Sequence, residues 1–246
     1  MKKYLLILMG VLNVYSFVCF AQSKYYEHSN DWLKKSEACK PAFVYKKHSP
    51  LRIVKSVKDE KAYQGWRMED VGNVDVLFNE SLKKHSGIIL DFGEHLTGTF
   101  NFSLKILGEH IASDAPIRLK FTFAEVPGEL NTPFDPYPGG LSRAWLQDEI
   151  ITLMTVPIEA SIPRRLSFRY LKIDVLGASS FDFAFDKMSF TAQSAVEKIE
   201  MDLATTTDPL IRKINEVGLY TLKECMQTVY EDGPKRDRRL WIGDLY

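Results

Sequence analysis

The 246-residue sequence predicts a mainly β protein: an antiparallel, jelly-roll-like β-sandwich over about residues 45–195, then one long helix near 208–226. Three observations carry this reading. Phe100, Phe102, Leu104 and Ile106 share one face of a stretch whose other face is Thr99, Asn101, Ser103 and Lys105, and Ile117, Leu119, Phe121 and Phe123 likewise oppose Arg118, Lys120, Thr122 and Ala124. Alternation of this kind marks strands with one wet face. No helical-period segment separates these strands, so they pair antiparallel rather than through crossover helices. The period then changes after Asp208, where Leu210, Ile211, Ile214, Val217, Thr221, Leu222 and Cys225 recur at steps of three and four.

Taken in order, the chain opens with a basic Met1-Lys2-Lys3, a mostly apolar Tyr4–Phe20 and a small-residue site at Cys19-Phe20-Ala21 before Gln22. This reads as a secretory signal peptide over 1–21, too short for a stable membrane span, with export to a periplasm or the exterior. A lipid anchor on Cys19 follows only a weak lipobox, Ser16-Phe17-Val18. Residues 22–70 are mixed: Pro41–Tyr45 and Leu51–Val57 read as short strands, and Trp32 and Trp66 as packing residues. Val74, Val76 and Phe78 alternate as a strand would. Ile88–Phe92, Ile150–Val156, Leu166–Val175 and the run Phe181, Phe183, Phe185 add further strands. Between them, Glu125–Ala144 carries four prolines and three glycines and is expected to be irregular. Long ordered loops are often functional, and Phe134 and Tyr137 are placed to lean over a neighbouring site; a loop packed on its own sandwich is the plainer alternative. Asp208 is a good N-cap with Pro209 at the first helical position, opening an amphipathic helix of roughly four to five turns at 3.6 residues per turn. Its apolar stripe needs partners.

Lysines plus arginines equal aspartates plus glutamates, so the formal charge is zero and gives no support to a polyanion or anionic membrane as partner. With Cys19 removed, Cys39 and Cys225 remain and read as free thiols, Cys225 at a buried helical position. The five histidines are scattered without metal-ligand spacing, so neither a metal nor a cofactor is expected.

The densest chemistry lies in Glu231–Tyr246, where Asp232, Asp237 and Asp244, three arginines and Trp241 surround a Gly-Pro turn. Carboxylates accept paired hydroxyl hydrogen bonds, an arginine donates a planar fork, and an indole stacks on the apolar face of a pyranose. A carboxyl group here can also donate a proton to a glycosidic oxygen. A solvated loop is the bland alternative, and Lys235–Arg239 also has the look of a nucleic-acid patch. The interspersed aspartates oppose the latter, because they repel phosphate.

The run Asp232-Gly233-Pro234-Lys235-Arg236-Asp237-Arg238, then Trp241, then Gly243-Asp244, resembles the signature loop of the α-L-rhamnosidases of glycoside hydrolase family 78. Ile211–Gly218 followed by Thr221-Leu222 resembles the first helix of that family's (α/α)6 barrel, and Gly87–Ile106 and Phe168–Gly177 are similar to the sandwich before it. The resemblance implies an inverting hydrolase of terminal α-L-rhamnosides, which the signal peptide would make a secreted one. Asp237 takes the general-acid position, where glutamate is commoner; Asp232 and Asp244 hold the sugar hydroxyls, Arg236 stands beside them, and Trp241 walls the pocket. It also implies a sandwich domain over 22–195, the start of a truncated barrel over 196–246, and a general base supplied by a later barrel segment, so that the stretch alone is expected to be inactive. The expected partner is a rhamnose-containing carbohydrate rather than nucleic acid. A non-catalytic carbohydrate-binding sandwich and a structural adaptor module remain as the other classes.

Overall fold

The computed structural model describes residues 28–108, 114–198 and 208–245, the side chains of 244 and 245 excepted. The signal-peptide segment lies outside the described residues. The chain divides into two compact units, Met1–Ala42 and Phe43–Tyr246. In the first, helix α1 (Ser29–Ala38) buries none of its residues. Trp32 is half exposed on it, its ring 5.9 Å from that of His28.

The second unit is mainly β, with antiparallel strands β1 (Val44–His48), β2 (Arg52–Lys58), β3 (Trp66–Gly72), β4 (Ile88–Ile106), β5 (Ile117–Ala124), β6 (Gln147–Leu153), β7 (Ile158–Ser161), β8 (Leu166–Ala178) and β9 (Phe183–Ser194). Its organiser is the 19-residue β4. The first half of β4 pairs with β2 and β8, and the second half with β9 and β7. The hand-over is at Gly98, which opposes Leu166 on β8 and Ala192 on β9. A Cβ there would stand 2.0 Å from the Thr191 carbonyl oxygen, so the crossing tolerates only glycine.

This switch turns the two halves of β4 toward different partners and closes a phenylalanine core between them. Phe100 and Phe102 on β4 meet Phe121 on β5, ring centroids 5.6 and 5.1 Å apart, although β4 and β5 are not hydrogen-bonded neighbours. Phe168 on β8 meets Phe190 on β9 edge-to-face at 4.8 Å and Phe123 at 4.9 Å. Each fully buried Phe contributes about 1.5–3 kcal/mol by removal from water, and such ring pairs add about 0.5–1.5 kcal/mol. The alternation read from the sequence is the inner face of this core.

Three local expectations are corrected, and one unassigned stretch gains a structure. Val74, Val76 and Phe78 do not form a strand: Val76–Asn79 is a single helical turn, α2, burying Leu77. Asn73 Oδ1 accepts the Asp75 N–H at 3.0 Å and Asn79 Nδ2 donates to the Asp75 carbonyl at 2.9 Å, a local network that competes with a ladder. Trp66–Gly72, left unassigned by the sequence, is strand β3. Phe181 precedes β9 rather than belonging to it. The Pro/Gly segment after β5 is not wholly irregular: Pro127–Leu130 is a helical turn, α3, and Arg143–Trp145 a 3₁₀ turn.

Helix α4 (Pro209–Cys225) starts as expected, with Asp208 Oδ1 accepting the Leu210 N–H at 2.8 Å. Its C-terminal end docks on the end of β9: Ser194 Oγ donates to the Lys223 carbonyl at 2.9 Å, and Ala195 N–H to the Met226 carbonyl at 2.8 Å. Cys225 is buried here as a free thiol. Leu210, Ile211, Ile214 and Val217 on the preceding turns are exposed.

Candidate functional site

The site is built where a bulge in β4, the segment after β5, the end of α4 and the terminal loop meet. The register of β4 against β8 jumps from Asp91↔Tyr170 to Leu96↔Phe168, so Phe92–His95 stand opposite Arg169 alone. The bulge pushes Glu94 and His95 out of the ladder, as bulges next to sites do. It is tied down by Asp91, which is fully buried: Arg169 Nε donates to Oδ1 at 2.9 Å, Arg52 Nη2 to Oδ2 at 2.9 Å, and the Gly93 N–H to Oδ1 at 2.8 Å. Burial opposes the Asp91 charge, but these donors outweigh it and hold its carboxyl below the ordinary range.

His95 is the hub of the cluster. Its Nε2 lies 3.1 Å from Glu125 Oε1 and 3.0 Å from Ser167 Oγ, and its Nδ1 lies 3.7 Å from Glu224 Oε2. At that last distance the contact is an ion pair rather than a hydrogen bond. Burial disfavours the imidazolium, yet the two carboxylates prevail and raise its pKa to about 9. Tyr220 on α4 donates to the His95 carbonyl and lies 3.1 Å from Glu94 Oε2; burial pushes its phenol up. These groups floor a cleft of about 890 Å³ with Lys213, Glu216 and Lys223 on its rim. Sequence reasoning missed this cluster, since His95, Glu125 and Glu224 are far apart in the chain and share no spacing.

A pH prediction follows. The folded His95 pKa, about 9, exceeds the ordinary value of 6.5, so the stability it contributes is present below about pH 6.5 and is lost as pH rises through 9. Thermal melts between pH 6 and 10 are expected to show a fall that His95→Gln flattens, at about 2–4 °C for each kcal/mol lost. An equal slope in the variant would remove His95 from the account.

The terminal loop is fixed from several sides. Glu231 is buried and accepts from Arg165 Nη2 at 2.6 Å. Asp232 closes the loop on itself: its N–H donates to the Arg239 carbonyl at 3.0 Å, Oδ1 accepts the Arg239 N–H at 3.1 Å, and Oδ2 accepts the Trp241 indole N–H at 2.9 Å. Desolvation acts against the Asp232 charge, but these N–H donors outweigh it and keep its carboxyl below the ordinary range. Lys235 pairs with Glu129 on α3 and stands 4.0 Å from Glu125. The Arg236 guanidinium lies over the Trp145 ring at 5.4 Å, and Arg238 Nη2 donates to the Arg165 carbonyl at 3.0 Å.

The sequence-predicted residues therefore fall in one loop with distinct placements. Asp232 and Trp241 are joined directly, and the Trp241 ring is 46% exposed. Asp237 and Arg238 both adopt left-handed backbone, φ 60° and 54°, with the Arg238 N–H donating to the Arg236 carbonyl at 2.8 Å. Two consecutive non-glycine residues in that region store about 1–3 kcal/mol each, as strained residues at sites do. Asp244 belongs to the short turn Ile242–Leu245, its side chain outside the described residues. Among the described residues no group of three or more His, Cys, Asp or Glu is placed to hold a metal ion. No described helix is long and apolar enough to cross a membrane.

Residues 50–192 match the glycosyl hydrolase family 78 alpha-rhamnosidase N-terminal domain. Among solved structures, the rhamnosidase from Klebsiella oxytoca with rhamnose bound is 39% identical, with a TM-score of 0.77 over 87% of this chain and 42% of that one. The GH78 rhamnosidase of Bacillus sp. GL1 is 16% identical, TM-score 0.47, over 64% of this chain and 15% of that one. The α-L-rhamnosidase from Dictyoglumus thermophilum is 16% identical, TM-score 0.45, over 83% and 19%. No curated protein matches. The chain spans less than half the length of the Klebsiella enzyme. By the match over more than half its length and the 39% identity, the chain belongs to glycosyl hydrolase family 78, as the N-terminal portion of an α-L-rhamnosidase-type protein.

Proposed function

We propose that the protein is an exported, periplasmic or extracellular, inverting hydrolase of terminal α-L-rhamnosides, and that its phenylalanine-cored sheet is a jelly-roll-like domain leading into an (α/α)6 barrel that opens with α4. The observation that carries the reading is the 39% identity to a rhamnosidase with rhamnose bound, over 87% of the chain. In this reading Asp237 is the general acid, Asp232 and Asp244 accept from the sugar hydroxyls, and Arg236 and Trp241 complete the pocket. The geometry of Asp232 supports its part. Each of its oxygens uses one lone pair on a loop donor, and a carboxylate has about four such sites, so acceptor capacity remains while its direction is fixed. An inverting mechanism sets the acid about 6.5–9.5 Å from a basic carboxylate, leaving space for a water.

The test is hydrolysis of an aryl α-L-rhamnoside by the protein together with the barrel segment that carries the base, followed by proton NMR in the first minutes. The β-anomer of rhamnose is expected first, with the α-anomer appearing only by mutarotation. Early α-anomer would reject inversion, and turnover of other aryl glycosides with the rhamnoside untouched would reject the sugar assignment.

A further inference from the structure

A second cleft, of about 600 Å³, lies on the other side of the terminal loop, between Lys235-Arg236 and the segment after β5. Its walls are aromatic: Trp66, Phe134, Tyr137 and Trp145. That volume is in the range of small-ligand sites. Trp145 keeps 36% of its surface exposed, with the Arg236 guanidinium over one face of its ring and the other face left for contact.

The walls are held in place by specific contacts. Arg143 forks onto Asp135 at 2.8 and 3.0 Å, reaches Asp148 at 2.7 Å, and lies over the Phe134 ring at 5.3 Å. Tyr137 folds back over Gly139, where a Cβ would meet its ring at 2.4 Å, so only glycine lets the ring lie there. Gln64, on the opposite rim, holds left-handed backbone at φ 55°. Strain of this kind persists only where the surroundings over-determine it. The rim is polar, with Gln64, Thr132 and the Lys235–Glu129 pair.

We infer that this cleft is an acceptor subsite, binding a pyranose of the leaving group by stacking on the Trp66 and Trp145 rings. Apolar ring faces with donors and acceptors at the edge match a pyranose, whose carbon face is apolar and whose rim is hydroxylated. A bare aromatic leaving group would face the rings equally well but would set its apolar edge against Gln64, Thr132 and the ion pair. Arg236 is shared: it lies over Trp145 and belongs to the loop assigned to the rhamnosyl group, which puts the two subsites on either side of one short segment. The inference rests on the rhamnosidase reading for the word "acceptor"; the cleft itself stands on its own geometry.

The experiment uses the indole N–H signals of the 15N-labelled full chain, four in all and assigned by single Trp→Phe variants. Methyl β-D-glucopyranoside, L-rhamnose and 4-nitrophenol are titrated separately. The glucoside is expected to move Trp66 and Trp145 and leave Trp241 in place; Trp145→Ala is expected to weaken that response at Trp66 by about 3–10-fold, and Trp145→Phe to retain it. If the glucoside leaves Trp66 and Trp145 unmoved, or 4-nitrophenol moves them and the glucoside does not, the inference is overturned. L-Rhamnose reports on the other reading through Trp241. Silence there with a glucoside response at Trp145 removes Trp241 from the rhamnosyl pocket and keeps the cleft as a sugar site.

Discussion

Asp237→Asn is expected to lower turnover by about 10²–10⁴-fold on a rhamnoside with a poor leaving group, the usual contribution of general-acid catalysis. The loss should shrink on an activated aryl rhamnoside, whose phenolate departs without a proton. Asp232→Asn should behave differently. Its carboxylate is anchored by the Arg239 N–H and the Trp241 indole and has no leaving group to serve. Activity on both substrates should therefore fall together, with the loss in the same ratio. The comparison, made in the active enzyme, separates proton donation from sugar binding. An equal loss for Asp237→Asn on both substrates would transfer that residue to the binding group and leave the acid unassigned.

Asp91→Ala is expected to cost about 3 kcal/mol, the lower end for breaking a buried ion pair, since the partners Arg52 and Arg169 are partly exposed and can recover some hydration. At this chain size that lowers Tm by about 6–12 °C. The variant loses two arginine forks and the Gly93 donor together, and with them the anchor of the bulge that carries Glu94 and His95. The sign with pH is opposite to that of His95. The folded Asp91 pKa lies below its ordinary value of 3.8, so its contribution is complete above that value and is lost as pH falls through the folded pKa. Denaturant melts should therefore show an acid limb in the parent that is shallower in Asp91→Ala. A parallel limb in both would mean that other carboxylates govern acid unfolding.

The contrast between these two residues shows what sequence can convey. Alternation around Phe100 and Phe121 announces strands, because side-chain direction in a strand depends only on its own neighbours. The N-cap at Asp208 and the terminal loop are legible for the same reason: their hydrogen bonds and their motif are local. The anchors of the loop are not. Lys235 reaches Glu129 across 106 residues, Arg238 reaches Arg165 across 73, and Arg165 reaches Glu231 across 66. No spacing rule links such positions. Nor does any pattern disclose the three extra residues of the β4 bulge, since an interrupted register leaves the alternation on both sides intact. Val74–Phe78 failed for the opposite reason, a short alternating run that an Asn73–Asp75 network turned into a helical turn.

The double membership of β4 also constrains how the chain is made. Its second half is completed by β9, with Asn101 and Thr191 in contact across 90 residues. At about 5–20 residues per second of synthesis, roughly 5–18 s separate the appearance of the two strands. During that interval one edge of a long, phenylalanine-rich strand has no final neighbour, and such an edge is a template for pairing with another chain. A nascent chain of this protein therefore depends on chaperone cover, or on dilution, until Phe183–Ser194 has emerged. Released chains truncated before residue 183 should be the aggregation-prone species, and those extending beyond residue 194 markedly less so.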